Sequence, residues 1–166
     1  MSGSVHFIDT RADLSTEPRG VKPIVVLKFG SSVLAGPDDL ADVVSEIYRI
    51  ARTGRRVIAV VSAFGGLTDR LIAEAMSAGA PHDNVNAPAY IALGEETSAA
   101  LLALACDQAG LCAIAFKSCE VGIIAEGALF DAVPIGFLDA RFTEALQDHD
   151  VIIVPGFVGK DRAGRT

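Results

Sequence analysis

The chain has no tryptophan, three cysteines, three histidines and an aromatic content of only 6% across 166 residues. Each shortage excludes something. Cys106, Cys112 and Cys119 stand six and seven positions apart, which fits no zinc or dithiol motif, and an odd number suits a reducing compartment better than a disulfide framework. His6, His82 and His149 are isolated from one another, so no metal site is expected from them. Basic residues are scarce as well. Fourteen Lys and Arg against 21 Asp and Glu leave a formal charge of −7, which argues against nucleic acid, whose phosphates call for clustered cations. Arg49, Arg52, Arg55 and Arg56 do cluster, but at the end of an expected helix, where cations complement the dipole. Long apolar runs are missing too. Although 51% of the residues are hydrophobic and the mean hydropathy is +0.41, no stretch approaches the ~18–20 uninterrupted apolar residues of a spanning helix. No membrane partner is expected. Residues 1–20 lack the apolar centre of a signal peptide and read as a flexible tail, so the expected location is the cytoplasm.

What is present is a regular alternation of elements over residues 21–166. IVVLKF from Ile24 is a continuous apolar, β-branched run, expected to be a strand buried on both faces of a parallel sheet. Pro37-Asp38-Asp39 opens a helix with carboxylates at its positive end. Leu40, Val43, Val44, Ile47 and Ile50 keep helical spacing, and Gly54 stands where a C-terminal cap belongs. RVIAVVSA is a second buried strand. Leu67–Ala78 is a helix followed by the breaker AGAPHDN, and 87–109 reads as one long helix rich in the chain's 26 alanines. CAIAF is a third strand. Residues 120–137 hold short β-like pieces broken by Gly127, Pro134 and Gly136. Leu138–Gln147 is a helix, and VIIVPGF is a last strand with no helix after it to cover it. Alternating strands and helices imply an α/β fold with a mainly parallel sheet. At 166 residues, one domain with its own core is expected.

Ligands of open α/β sheets bind outside the carboxyl ends of the strands. The first strand ends in Lys28-Phe29-Gly30-Ser31-Ser32. Lys28 either snorkels at a strand edge or meets a ligand, and Gly30, Ser31 and Ser32 offer amides and hydroxyls suited to phosphate oxygens. The run is neither a Walker A loop nor a GxGxxG turn. The second strand ends at Ser62, and Ala63-Phe64-Gly65-Gly66 leads to Thr68 and Asp69. These two either cap the next helix or hold a small polar ligand at its N-terminus. Gly94-Glu95-Glu96 lies in the long helix. Counting 100° per residue puts Glu95 at the edge of the inward stripe of Ile91, Ser98 and Leu102, while Glu96 points away toward solvent. Glu95 therefore either reaches water or meets an ammonium. The last strand runs out through Gly156, Phe157 and Gly159 to Lys160 and Asp161, an ordinary loop or a set of polar contacts.

Taken together, VVLKFGSSVL, VVSAFGGLTDRL, LGEETSAALLALACDQAG and VPGFVGKDRAGRT resemble, in order and spacing, segments of the amino-acid kinase family, and within it the aspartokinases. The resemblance runs from about Val25 to Thr166. It implies an αβα sandwich and transfer of the γ-phosphoryl of ATP, with Mg²⁺, to the β-carboxylate of L-aspartate. By motif position it implies that Lys28 is catalytic and stabilises the transferring phosphoryl, and that Lys28, Gly30, Ser31 and Ser32 bind phosphate. Ser62, Thr68, Glu95, Phe157 and Gly159 would hold the amino acid, with Glu95 on its ammonium. Such roles suit phosphoryl transfer, where positioning and charge stabilisation dominate.

Two departures shape the expectation. The loop reads GSSV where the family usually has GGTS, placing Ser31 at a glycine position and Val33 at a hydroxyl position. The motifs also stop at GRT, where family members continue into TTLGRGGSD and a nucleotide-binding half. The resemblance is therefore to the amino-acid-binding N-terminal half, expected to be inactive alone, with the C-terminal half as its partner. An apolar flank is expected to be exposed where that half packs, which would favour a homodimer. Two alternatives stand beside this one. One is a non-catalytic amino-acid-binding or regulatory domain fused to a homoserine dehydrogenase, and the other is a kinase for another amino acid such as glutamate.

Overall fold

The β-branched run Ile24–Phe29 forms the first strand, β1, and its alternation shows at once where the core lies. Leu27 and Phe29 are fully buried, whereas Ile24 and Val26 are 49% and 43% exposed. The computed structural model describes residues 22–79, 84–128 and 130–166. The expected tail at 1–20, His6, His82 and most of the AGAPHDN breaker lie outside the described residues.

A single 3-10 turn at Pro37–Asp39 leads into α1, Leu40–Ala51. Asp39 accepts hydrogen bonds from the amides of Ala35 and Gly36 at 2.8 and 3.0 Å, and so ties off the loop that follows β1. Gly54 ends this unit at φ +82°, the left-handed conformation that glycine enters without a Cβ penalty. Strand β2 is Arg56–Val61, helix α2 Leu67–Ser77, α3 Ala87–Ile91 and α4 Leu93–Gln108. Strand β3 is Ala113–Ala115, β4 Ile123–Ala128, β5 Asp131–Phe137, α5 Ala140–Asp148 and β6 Val151–Pro155.

Four strands make a parallel sheet in the order β1-β2-β6-β3. One face carries Leu27, Phe29, Val57, Ala59, Val61, Val151 and Ile153 against Val43 and Ile47 of α1 and Ala99, Leu102 and Cys106 of α4. The other face places Ile152 and Val154 against Phe142 and Ala145 of α5, with Phe116 and Val121 alongside. This is the expected αβα arrangement. By length and composition alone, Ala87–Gln108 is apolar enough to cross a membrane. Its inward residues Ser98, Ala99, Leu102 and Cys106 are spent on the sheet.

Three expectations need correction. Within the parallel sheet the strand open on one face is the first, not the last: β6 sits between β2 and β3 and is buried along its whole length, covered by α4 on one side and α5 on the other. The outer face of β1 leaves Ile24 and Val26 exposed, as Val133, Ile135 and Phe137 of β5 are. The single long helix is interrupted only at Ala92, between α3 and α4, where the backbone keeps helical angles and the Ala92 amide still donates to the Pro88 carbonyl. The broken β-like pieces of 120–137 form an antiparallel hairpin, β4–β5.

Candidate active site

The carboxyl ends of β1, β2 and β6 open onto a cavity of about 880 Å³. Its walls come from the loop after β2, the first turns of α2 and α4, the hairpin β4–β5, and the segment from Phe157 to Thr166.

Glu95 is the most informative group in it. Gly94 makes its position possible: a Cβ there would stand 3.0 Å from Ala63 Cβ and 3.3 Å from Leu71 Cδ1, so only glycine lets α4 press this closely on α2 and the end of β2. Glu95 thereby lies in the first turn of α4 and is only 7% exposed. Burial pushes its carboxyl above the ordinary carboxylate range, while amide N–H groups of Glu95 itself and Ala63 pull it part of the way back. Among the described residues it has no ion pair. A buried carboxylate held by amides and lacking a cation is an incomplete arrangement, and a ligand ammonium would complete it.

Glu96, expected in solvent, is half-buried and accepts a hydrogen bond from the Ser118 amide at 2.8 Å. It ties α4 to the loop after β3 and plays no part in the cavity. Thr68 and Asp69 line the cavity but do not cap α2. The cap position belongs to Gly66 at φ +72°, with no side-chain cap bond, so both side chains' hydroxyl and carboxylate are left to the cavity.

Of the residues singled out from sequence, Ser31, Ser62, Thr68, Glu95, Phe157 and Gly159 line one cavity. Lys28, Gly30 and Ser32 are not among its walls. Lys28 is exposed at the end of β1, and its Nζ lies 4.9 Å from the centre of the Phe157 ring, which does border the cavity. The Gly30 carbonyl accepts from the amides of Val33 and Leu34, both at 2.9 Å, which curls the loop so that Leu34 is fully buried. Val33, at the family's hydroxyl position, packs against the core.

The final segment is held at several points. The Gly156 amide donates to the Val61 carbonyl at 2.7 Å, and a Cβ at Gly156 would come within 2.9 Å of that oxygen. Lys160 exchanges two backbone hydrogen bonds with β4: its amide to the Ile123 carbonyl and the Ala125 amide to its carbonyl, both 2.8 Å. Asp161 accepts from the amides of Ala163 and Arg165 and from Arg165 Nε at 2.9, 2.9 and 2.7 Å. These bonds, led by that to the Arg165 backbone, hold its carboxyl below the usual range. The hairpin is the part of the wall that sequence reasoning missed: Ile123, Ala125, Ala132 and Pro134 face the cavity, and the alternation of small residues with Val133 and Ile135 was its only signal. Among the described residues no group of three His, Cys, Asp or Glu side chains is placed to hold a metal ion.

A model of the amino acid kinase family matches residues 23–166. The aspartokinase of Helicobacter pylori strain 26695 is 27% identical over 143 residues, covering 86% of this chain and 35% of that one. The aspartokinase of Mycolicibacterium smegmatis is 31% identical over 138 residues, covering 82% and 32%. The chain thus spans about a third of the length of the curated relatives it matches. Among solved structures, aspartate kinase from Synechocystis superposes with a TM-score of 0.67 at 25% identity, over 87% of this chain and 23% of that one. Escherichia coli aspartokinase III in complex with aspartate and ADP gives 0.71 at 18% identity, over 87% and 42%, a likeness of fold.

Proposed function

The chain belongs to the amino acid kinase family, and from that premise we propose that it provides the amino-acid-binding part of an aspartate kinase. In this reading L-aspartate lies in the cavity with its ammonium on Glu95 and its β-carboxylate toward Lys28 and the Gly30–Ser32 loop. A carboxylate oxygen attacks the γ-phosphorus of ATP, the bond from that phosphorus to the β,γ-bridging oxygen breaks, and ADP leaves with the electron pair. Lys28 offsets the charge on the phosphoryl oxygens, and the loop amides orient them. Mg²⁺, implied by the resemblance, would arrive with the ATP phosphates and supply charge neutralisation there. The steps assigned to this chain are those of its own side chains and amides. Nucleotide binding is assigned to the partner half, and phosphoryl transfer by the 166 residues alone is not expected.

The observation that carries this reading is the buried carboxylate of Glu95, unpaired among the described residues and bordering a cavity large enough for an amino acid. Calorimetric titration tests it. The chain is expected to bind L-aspartate, to bind L-glutamate more weakly, and to reject N-acetyl-L-aspartate, which has no ammonium. Equal binding of the acetylated compound, or no binding of aspartate, would overturn the assignment.

A second reading, a domain that binds the amino acid without phosphorylating it, is favoured by Val33, whose side chain packs in the core. Hydroxamate formation from aspartate and ATP, by this chain or by this chain joined to a relative's C-terminal half, would exclude it.

A further inference from the structure

We propose that Phe157 is a positioning residue for Lys28, its ring face holding the lysine ammonium at the carboxyl end of β1, ready for an anionic oxygen. The inference rests on the kinase reading for what that anion is, but the geometry behind it is independent of that reading.

Three features of Phe157 make little sense as contributions to stability. It is the only non-glycine with positive φ among the described residues, at +55°, a conformation uncommon outside Gly, Asn and Asp. Its side chain is 84% exposed, so the ring contributes little by burial. The glycines around it leave no room for a side chain: a Cβ at Gly156 would come within 2.9 Å of the Val61 carbonyl oxygen, and one at Gly159 would stand 3.2 and 3.3 Å from Ile123 Cγ2 and Ala125 Cβ. The turn is therefore fixed on both sides, and a strained residue presents an aromatic ring to solvent from it. Strain of this kind marks positions shaped by something other than stability.

The cation against the ring supplies the reason. Lys28 Nζ stands over it at 4.9 Å from the centroid, within the range of cation–π attraction. A lysine on a four-carbon stem otherwise samples many rotamers. A carboxylate could hold it equally well, but would neutralise the charge and occupy its N–H donors. An aromatic face holds the ammonium while leaving both available to a phosphate oxygen.

The test uses the chain with its four lysines reductively methylated with ¹³C-formaldehyde, and Lys28→Arg to assign the signal. In the wild type the Lys28 methyl signal is expected upfield of the other three through the ring current. Phe157→Leu is expected to remove that displacement and weaken tripolyphosphate binding ~2–5-fold, the size of an exposed cation–π contact. Phe157→Tyr is expected to keep both. Phe157→Asn, which suits positive φ, is expected to lose both while melting no lower than the wild type, a pairing that a structural role for the ring would not produce. An undisplaced Lys28 signal in the wild type, or a displacement and affinity unchanged by Phe157→Leu, would overturn the proposal. If tripolyphosphate fails to bind a wild type whose Lys28 signal is displaced and depends on Phe157, the phosphoryl reading falls and the positioning of Lys28 stands.

Discussion

At the scale of single residues, Glu95 sets binding against stability. Its carboxyl is raised by burial, so the folded state holds the proton more tightly than the unfolded chain. The cost of the buried charge is absent below the unfolded value near 4.5 and grows as pH rises through the folded value. Glu95→Gln should therefore be at least as stable as the wild type at neutral pH, with the difference closing toward pH 4, as urea unfolding across pH would measure. The same variant should lose ~10–100-fold in aspartate affinity, the scale of a charge-assisted bond. Gly94 permits that geometry. Gly94→Val should cost ~1–3 kcal/mol by overpacking against Ala63 and Leu71, and should weaken aspartate binding as α4 moves away. Sequence periodicity was enough to separate Glu95 from Glu96. It could not show that Glu96 would find the Ser118 amide, because that bond joins positions 22 residues apart.

At the scale of elements, the hairpin is the clearest case of structure that local pattern hides. Asp131–Phe137 contains Pro134 and Gly136, both poor strand residues. They are tolerated because a bulge between Ile124 and Ala125 shifts the register opposite them. Gly127, at φ +140°, lets the two strands meet where a Cβ would come within 2.8 Å of the Asp131 carbonyl. None of this is visible until both strands are paired. The hairpin's hold on the final segment is testable through one bond. Ala125→Pro removes the donor to the Lys160 carbonyl at a bulge, where proline is otherwise accepted. It should speed hydrogen exchange of the Lys160 amide ~2–10-fold, leaving the amides of β2 and β6 protected as before. By contrast, β1, α1, β2 and α2 were legible nearly to the residue, since each carries its own periodicity and a local start or stop signal.

At the scale of the whole molecule, the sequence pattern placed the layers correctly but misjudged which strand lies inside. The apolar runs of β1 and β6 look alike, and only the order β1-β2-β6-β3 makes one an edge and the other central. Substitutions on β1 should reveal its one-sided burial. Leu27→Ala should cost ~2–5 kcal/mol, while Val26→Thr, one residue away on the exposed face, should stay within ~0.5 kcal/mol. Thermal or denaturant unfolding of the two variants measures the contrast, and comparable losses would mean that the outer face of β1 is covered in solution.

The central position of β6 also bears on how the molecule is made. Synthesis delivers β1, β2 and β3 long before Val151–Pro155, yet β2 and β3 never touch each other: each pairs with β6. Until that strand leaves the ribosome, β2 and β3 each present an open hydrogen-bonding edge, and the contacts that close the sheet span the largest sequence separations in it. The nascent chain must therefore wait with its middle missing, exposed to wrong pairing. Insertion of one late strand then completes both cores together.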